Sequence, residues 1–139
     1  MSTFITPLIT VDCVVFYNKA VLLIRRKNAP FENHLALPGG FVDIGETVES
    51  ACLRELCEET NLRLKFSDLN LIGVYSKPDR DPRRATISIA YYAKINDSED
   101  IIAGDDALEV NFFDSWGEKK LAFDHKLIIN DAYIMHINE

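Results

Sequence analysis

Residues 40–62 read GFVDIGETVESACLRELCEETNL, and within them Glu55, Glu58 and Glu59 stand at i, i+3 and i+4. On a helix that spacing gathers three carboxylates on one face, within about 100° of arc. Like charges held so close repel one another, and the helix gains nothing structural from them. A cation between them removes the repulsion, and hard carboxylate oxygens suit Mg²⁺ or Mn²⁺. The phase of the remaining residues supports a helix here. Leu53 and Leu56 face away from the glutamates, toward a core. Thr47 is a suitable N-cap, Glu49 in the first turn favours the helix dipole, and Asn61 tolerates the left-handed C-cap conformation. A helix from near Thr47 to near Glu59 is therefore predicted.

Outward from this helix, the Val-, Ile- and Thr-rich residues 8–16 read as a strand. Tyr17, Asn18 and Lys19 turn the chain into a second strand over 20–26. Residues 28–33, with Pro30, form a loop. Residues 35–41 carry Pro38-Gly39-Gly40, where a ligand can approach the main chain closely. Residues 70–76 and 86–95 read as two further strands joined by a Pro/Arg/Asp loop. The polar, acidic stretch 96–104 is a turn region, and 109–113 is a short strand. Residues 123–137 place Leu127, Ile128, Ala132, Ile134 and Met135 at helical spacing, with Asp124 as a cap. One mixed sheet with a central and a C-terminal helix gives an α/β or α+β sandwich in a single domain, 1–139.

Composition narrows the classes. With 47% apolar and 27% charged residues the chain is an ordinary globular protein. No apolar run reaches membrane-spanning length, and the start has neither a basic n-region nor a cleavage site. Three cysteines, Cys13, Cys52 and Cys57, are odd in number, and reduced thiols in a cytoplasm are expected. A net charge of −7 argues against a general nucleic-acid or membrane-surface partner, because phosphate backbones reward basic surfaces. The basic residues nevertheless cluster, at Arg25-Arg26-Lys27 and between Lys77 and Arg84. Such patches beside an acidic helix suit a small phosphorylated ligand held together with metal ions.

The opening stretch resembles the signature of the Nudix hydrolases, G-x5-E-x7-R-E-U-x-E-E-x-G-U, where U is aliphatic. It does so through Gly40, Glu46, Arg54, Glu55, Leu56, Glu58, Glu59 and Leu62, with Asn61 standing where the family usually has Gly. Three helical glutamates alone most often mark a solvated face. Gly40, Glu46, Arg54 and the preceding Pro-Gly-Gly reverse that judgement. The resemblance implies an α/β/α sandwich and cleavage of a pyrophosphate bond in a nucleoside diphosphate derivative. It implies that Glu55, Glu58 and Glu59 hold the metal, joined by a main-chain carbonyl at Gly39-Gly40. Glu46 and Arg54 then pair and brace the loop onto the helix. Glu58 is the candidate base, and Asp105, Asp106 and Glu109 are an acidic-loop alternative, with Asp106 a further candidate metal ligand. His34, His125 and His136 lack metal-ligand spacing. His125 is expected on the helix surface or in packing instead of catalysis, and Trp116 in packing.

Beyond the box, Ser76, Pro78, Arg80, Asp81, Pro82 and Arg83 resemble the S-x-P-x-R-D-P-R segment of the ADP-ribose pyrophosphatase subgroup, with Arg84 where Gly is frequent. Prolines limit the loop, and arginines on it are preorganised for an anion. Pro78, Arg80 and Arg83, with Arg25 from the second strand, are the expected substrate-binding residues. Phe4, Phe31 and Tyr75 are candidates for an adenine slot. The expected activity is Mg²⁺-dependent (or Mn²⁺-dependent) hydrolysis of ADP-ribose to AMP and ribose 5-phosphate. The alternatives are a Nudix nucleoside-triphosphate or dinucleotide pyrophosphohydrolase, and a non-catalytic ADP-ribose-binding regulator. The short stretch after the last helix weighs against the regulator. By analogy with related enzymes a homodimer is expected.

Overall fold

The computed structural model describes residues 5–97 and 101–139. Its centre is β1 (Leu8–Tyr17), whose Val11 and residues 13–16 are buried on both faces, as expected of a strand covered above and below. β1 runs into β2 (Ala20–Arg26) through a turn in which Asn18 has φ 53°, a left-handed angle that Asn tolerates. Two short strands follow, β3 (Leu35–Ala36) and β4 (Gly39–Phe41), and then α1 (Val48–Thr60). β5 (Asn70–Tyr75), β6 (Thr86–Ile95), β7 (Ala107–Phe113) and α2 (His125–Ile137) complete the order. β6 lies parallel to β1 along its whole length, from Leu8 opposite Thr86 to Tyr17 opposite Ile95. All other pairings are antiparallel, giving a mixed seven-stranded sheet ordered β3-β2-β1-β6-β5, with β4 on β1 and β7 on β2.

Strand alternation divides the core into two layers. Val11, Cys13, Val15 and Leu22 pack with Ala51, Cys52 and Leu56 of α1. Val14, Phe16, Val21 and Leu23 face the opposite way, onto Ile128, Ile129 and Ala132 of α2. Each fully buried Leu or Ile in these layers contributes about 1.5–3 kcal/mol relative to exposure. The result is the expected α/β/α sandwich.

A divergence of strands creates the space for a site. β2 pairs with β1 only at Phe16–Val21 and Tyr17–Ala20, and then peels away. β4 takes the vacated edge, pairing Gly39, Gly40 and Phe41 with Asp12, Val11 and Thr10. The far end of β2 and the Gly39-Gly40 strand therefore splay apart, and a cavity opens between them beside α1.

Residues 35–41 form two short strands, because Pro38 lacks an N–H and the Leu37 amide turns aside to donate to His125 Nδ1 (3.0 Å). Three expectations are corrected. α2 starts at His125 instead of Phe123, whose φ of 52° is outside the helical region. Asp124 occupies the N-cap position, but its side chain caps no amide and receives Arg80 instead. β7 begins at Ala107, two residues earlier than the sequence pattern indicated. Residues 98–100 of the acidic turn, and Phe4, lie outside the described residues.

Candidate active site

α1 forms as read: Thr47 Oγ1 accepts the Ser50 amide at 3.1 Å, and Asn61 closes the helix at φ 66°. Its outward face presents Glu55, Glu58 and Glu59 to a cavity of about 620 Å³, whose other walls include Gly39, Gly40, Arg26, Arg83, Asp105 and Asp106. Glu59 reaches the floor, where its Oε1 accepts the Gly39 amide at 3.0 Å. Burial pushes its carboxyl well above the ordinary carboxylate range. The Gly39 amide opposes that, and the adjacent Glu55 carboxyl adds to it. Glu55 is raised too, chiefly by burial, with the Arg54 guanidinium pulling the other way. Gly40 permits this close packing, since a Cβ there would stand 2.5 Å from Glu55 Oε1.

Arg54 sits beneath the acidic face. It donates to both Glu46 oxygens (2.7 and 3.0 Å), to the Phe41 carbonyl (3.0 Å) and to Glu55 Oε1 (3.0 Å). These bonds tie the 41–46 loop to the helix, as expected for the Glu46–Arg54 pair. Arg54 holds the Glu46 carboxyl below its usual range, and Glu46 in turn raises the guanidinium. Glu58 leans toward Arg54 at 3.3 Å. Among the described residues, no three His, Cys, Asp or Glu side chains are already drawn into one closed cation site. The donor chemistry still fits a hard divalent ion: two desolvated carboxyls of like charge share the floor and are eased by added positive charge.

The acidic loop reaches the cavity through main-chain contacts. Ile102 N–H donates to the Thr60 carbonyl and Gly104 N–H to the Glu59 carbonyl, at 2.9 and 3.0 Å, satisfying the open end of α1. Gly104 lies so close that a Cβ there would collide with the Glu58 carbonyl oxygen. Asp105 and Asp106 thereby line the same cavity as the box glutamates. Glu109 does not: it pairs with Arg25 at 2.6 Å.

The expected substrate-binding residues separate. Arg83 lines the cavity, with Asp81 bonded to its Nε and Nη2 (3.1 and 2.8 Å). Arg25 does not belong there. Besides Glu109, it donates to the Asn33 carbonyl, and it lines neither cavity described here. Arg80 lies away from the larger cavity. It is 8% exposed, with Nε and Nη2 on Asp124 (2.9 and 2.6 Å) and Nη1 on Thr86 (2.9 Å). Its guanidinium contributes to the wall of a smaller cavity, of about 190 Å³, but its donors are engaged by the protein. Pro78 is exposed on the loop and lines neither cavity. Phe31 packs on Phe123, and Tyr75 donates to Asp131.

Two features were not singled out by the sequence reading. Arg26, not Arg25, faces the cavity, because β2 residues alternate and Arg26 has the parity of Leu22 on the α1 side. That signal was present in the sequence. The second is a buried polar cluster behind β4: Asp12 accepts from Ser88 (2.5 Å), faces His125 Nε2 at 3.2 Å and lies 3.5 Å from Arg80. Burial alone would raise the Asp12 carboxyl, but His125, Ser88 and Arg80 outweigh it and hold it low. His125, read as a helix-surface or packing residue, is buried and fixes the Leu37 amide ahead of the Gly39-Gly40 strand.

Comparison with known proteins places these features in a wider set. Residues 6–130 match the NUDIX domain. The chain is 50% identical over 128 residues to the ADP-ribose pyrophosphatase of Methanocaldococcus jannaschii, covering 92% of this chain and 74% of that protein. A MutT/nudix family protein from Enterococcus faecalis superposes with a TM-score of 0.91 and 36% identity, over 100% of this chain and 65% of that one. A bifunctional NMN adenylyltransferase/ADP ribose pyrophosphatase from Francisella tularensis, solved with AMP and a Mn ion, gives 0.83 and 33%, over 93% and 42%. The chain thus spans less than two thirds of either solved protein.

Proposed function

This chain belongs to the NUDIX domain family, and from that premise we propose that it is a hydrolase that splits the diphosphate of ADP-ribose with the help of Mg²⁺. One water is consumed, and AMP and ribose 5-phosphate are released. The observation that carries the reading is the arrangement of the 620 Å³ cavity, with Glu55, Glu58 and Glu59 on one wall and Arg26 and Arg83 on another. A diphosphate needs both: carboxylates to hold a divalent cation, and guanidiniums for the remaining phosphate oxygens.

Glu55, Glu58 and Glu59, with the Gly40 carbonyl and Asp106 of the same cavity, would hold the cation. When bound, it neutralises the non-bridging oxygens and stabilises the departing phosphate. Glu58 is the more exposed of the three, and it takes the proton of the attacking water. Arg54 and Glu46 are positioning residues, holding the loop and Glu55 at a fixed angle to α1. Arg83 receives phosphate oxygens, with Asp81 fixing its fork. Three buried or half-buried free thiols support a cytoplasmic setting, and the outward Leu8 and Ile9 of β1 support pairing of two copies. Among the described residues, no helix is long and apolar enough to cross a membrane.

The test is an initial-rate assay with ADP-ribose, NADH, diadenosine polyphosphates and deoxynucleoside triphosphates, each with Mg²⁺. AMP release from ADP-ribose is expected, and Glu58→Gln or Glu59→Gln is expected to lower it by roughly a hundredfold or more without loss of fold. Cleavage of a triphosphate with no action on ADP-ribose would overturn the substrate and leave the chemistry. Tight binding of ADP-ribose in Mg²⁺ with no turnover would overturn the enzyme.

A further inference from the structure

Arg26 entered the sequence reading only as one member of the Arg25-Arg26-Lys27 cluster, and its surroundings set it apart from its neighbours. Its Nε donates to the Pro30 carbonyl at 2.8 Å, which anchors the stem and fixes the plane of the guanidinium. Its main chain is held on both sides, the Arg26 amide donating to the His34 carbonyl and the Arg26 carbonyl receiving the Asn33 amide. The guanidinium carbon lies 5.0 Å from the centre of the Phe123 ring, and that of Arg83 lies 5.9 Å from the same ring. Two guanidiniums thus gather at one aromatic ring. Arg83 has Asp81, Arg80 has Asp124 and Arg25 has Glu109. Arg26 has no carboxylate within ion-pair distance among the described residues. A half-buried cation beside a second cation, without its own counter-ion, is an arrangement that favours an incoming anion.

Its position says which part of the ligand that anion is. Arg26 and Arg83 line both the 620 Å³ cavity and the adjoining 190 Å³ cavity, and so does Glu59. The residues common to the two spaces therefore include two guanidiniums and a box carboxyl. A molecule of two lobes joined by a diphosphate, with a lobe in each space, puts its phosphates at the boundary between them.

We propose that Arg26 is a substrate-binding residue that, together with Arg83, clamps the diphosphate at the boundary of the two cavities. The Phe123 ring sets the separation of the two guanidiniums, and the Pro30 carbonyl leaves the terminal nitrogens of Arg26 for phosphate oxygens. This rests on the reading of the cavity as a nucleoside-diphosphate site and adds the residue that recognises the charge shared by all such ligands.

The experiment measures binding by calorimetry in EDTA, where turnover is blocked, with three probes: inorganic pyrophosphate, ADP-ribose and adenosine. Arg26→Gln is expected to weaken pyrophosphate and ADP-ribose by roughly tenfold to a hundredfold. Adenosine, which has no phosphate, should change by less than about twofold. Arg26→Lys retains the charge and an aliphatic stem over Phe123 but lacks the fork, and it should lose less than the Gln variant. Arg63→Gln, on the exposed surface outside both cavities, serves as the reference and should match wild type. Pyrophosphate binding that is unchanged in Arg26→Gln overturns the clamp, and so does an equal loss for all three probes, which marks a packing role. If wild type ignores ADP-ribose yet binds pyrophosphate in an Arg26-dependent way, the clamp stands and the ADP-ribose reading falls.

Discussion

Glu59 shows most directly how a residue placed for the proposed site can be costly to the fold. It is held by the Gly39 amide, next to Glu55, with its carboxyl well above the ordinary value of 4.5. In the cation-free protein the folded state therefore keeps a proton that the unfolded chain has already released. Stability then declines as pH rises from 4.5 toward the raised folded value, because the folded form binds more protons than the unfolded one in that window. A divalent cation favours the ionised carboxylate and reverses the penalty. Thermal melts in EDTA should accordingly show a falling melting temperature across that window. The increment produced by Mg²⁺ should grow with pH, and Glu59→Gln should remove most of this pH dependence. An Mg²⁺ increment that is flat with pH in wild type would show that Glu59 does not couple to the ion.

At the scale of elements, the site depends on how closely β4 and the 101–106 loop approach α1. The two close contacts differ in kind. A Cβ at Gly40 meets the end of the Glu55 side chain, which can swing away. A Cβ at Gly104 meets main chain of α1, which cannot move without disturbing the helix end. Gly40→Ala is therefore expected to leave the urea midpoint near wild type while weakening Mg²⁺ binding by roughly tenfold, as Glu55 is displaced. Gly104→Ala is expected to cost about 1–3 kcal/mol of stability, because the loop must lift and release the Glu59 carbonyl. Denaturant curves paired with metal titrations separate the two, and an inverted pattern would contradict this account of the contacts.

For the whole molecule, the Pro/Arg/Asp loop does two jobs that the sequence pattern merged into one. Arg83 turns to the cavity, whereas Arg80 turns inward and joins the loop to Asp124 at the start of α2, to Thr86 of β6 and to Asp12 of β1. Helix, sheet and loop meet at this one guanidinium. Arg80→Ala leaves Asp124 without its partner, while Asp12 keeps Ser88 and His125, and a loss of about 3–5 kcal/mol is expected in urea unfolding. A variant as stable as wild type but with a raised KM for ADP-ribose would return Arg80 to the ligand.

The sequence by itself determined α1, its caps, its acidic face and the Glu46–Arg54 brace. These rest on interactions within about twenty residues of chain, which periodicity and spacing encode directly. It also determined most strands, whose apolar runs are local signals. It did not decide which arginines face the cavity. Arg25, Arg26 and Arg80 are chemically alike, and their surroundings differ through partners remote in the chain: Glu109 for Arg25, Phe123 for Arg26, Asp124 for Arg80. Nor did it reveal the parallel pairing of β1 with β6, or the peeling of β2 from β1 that opens the cavity. Those depend on which strand competes successfully for a sheet edge, and that competition is settled only when distant segments pack together.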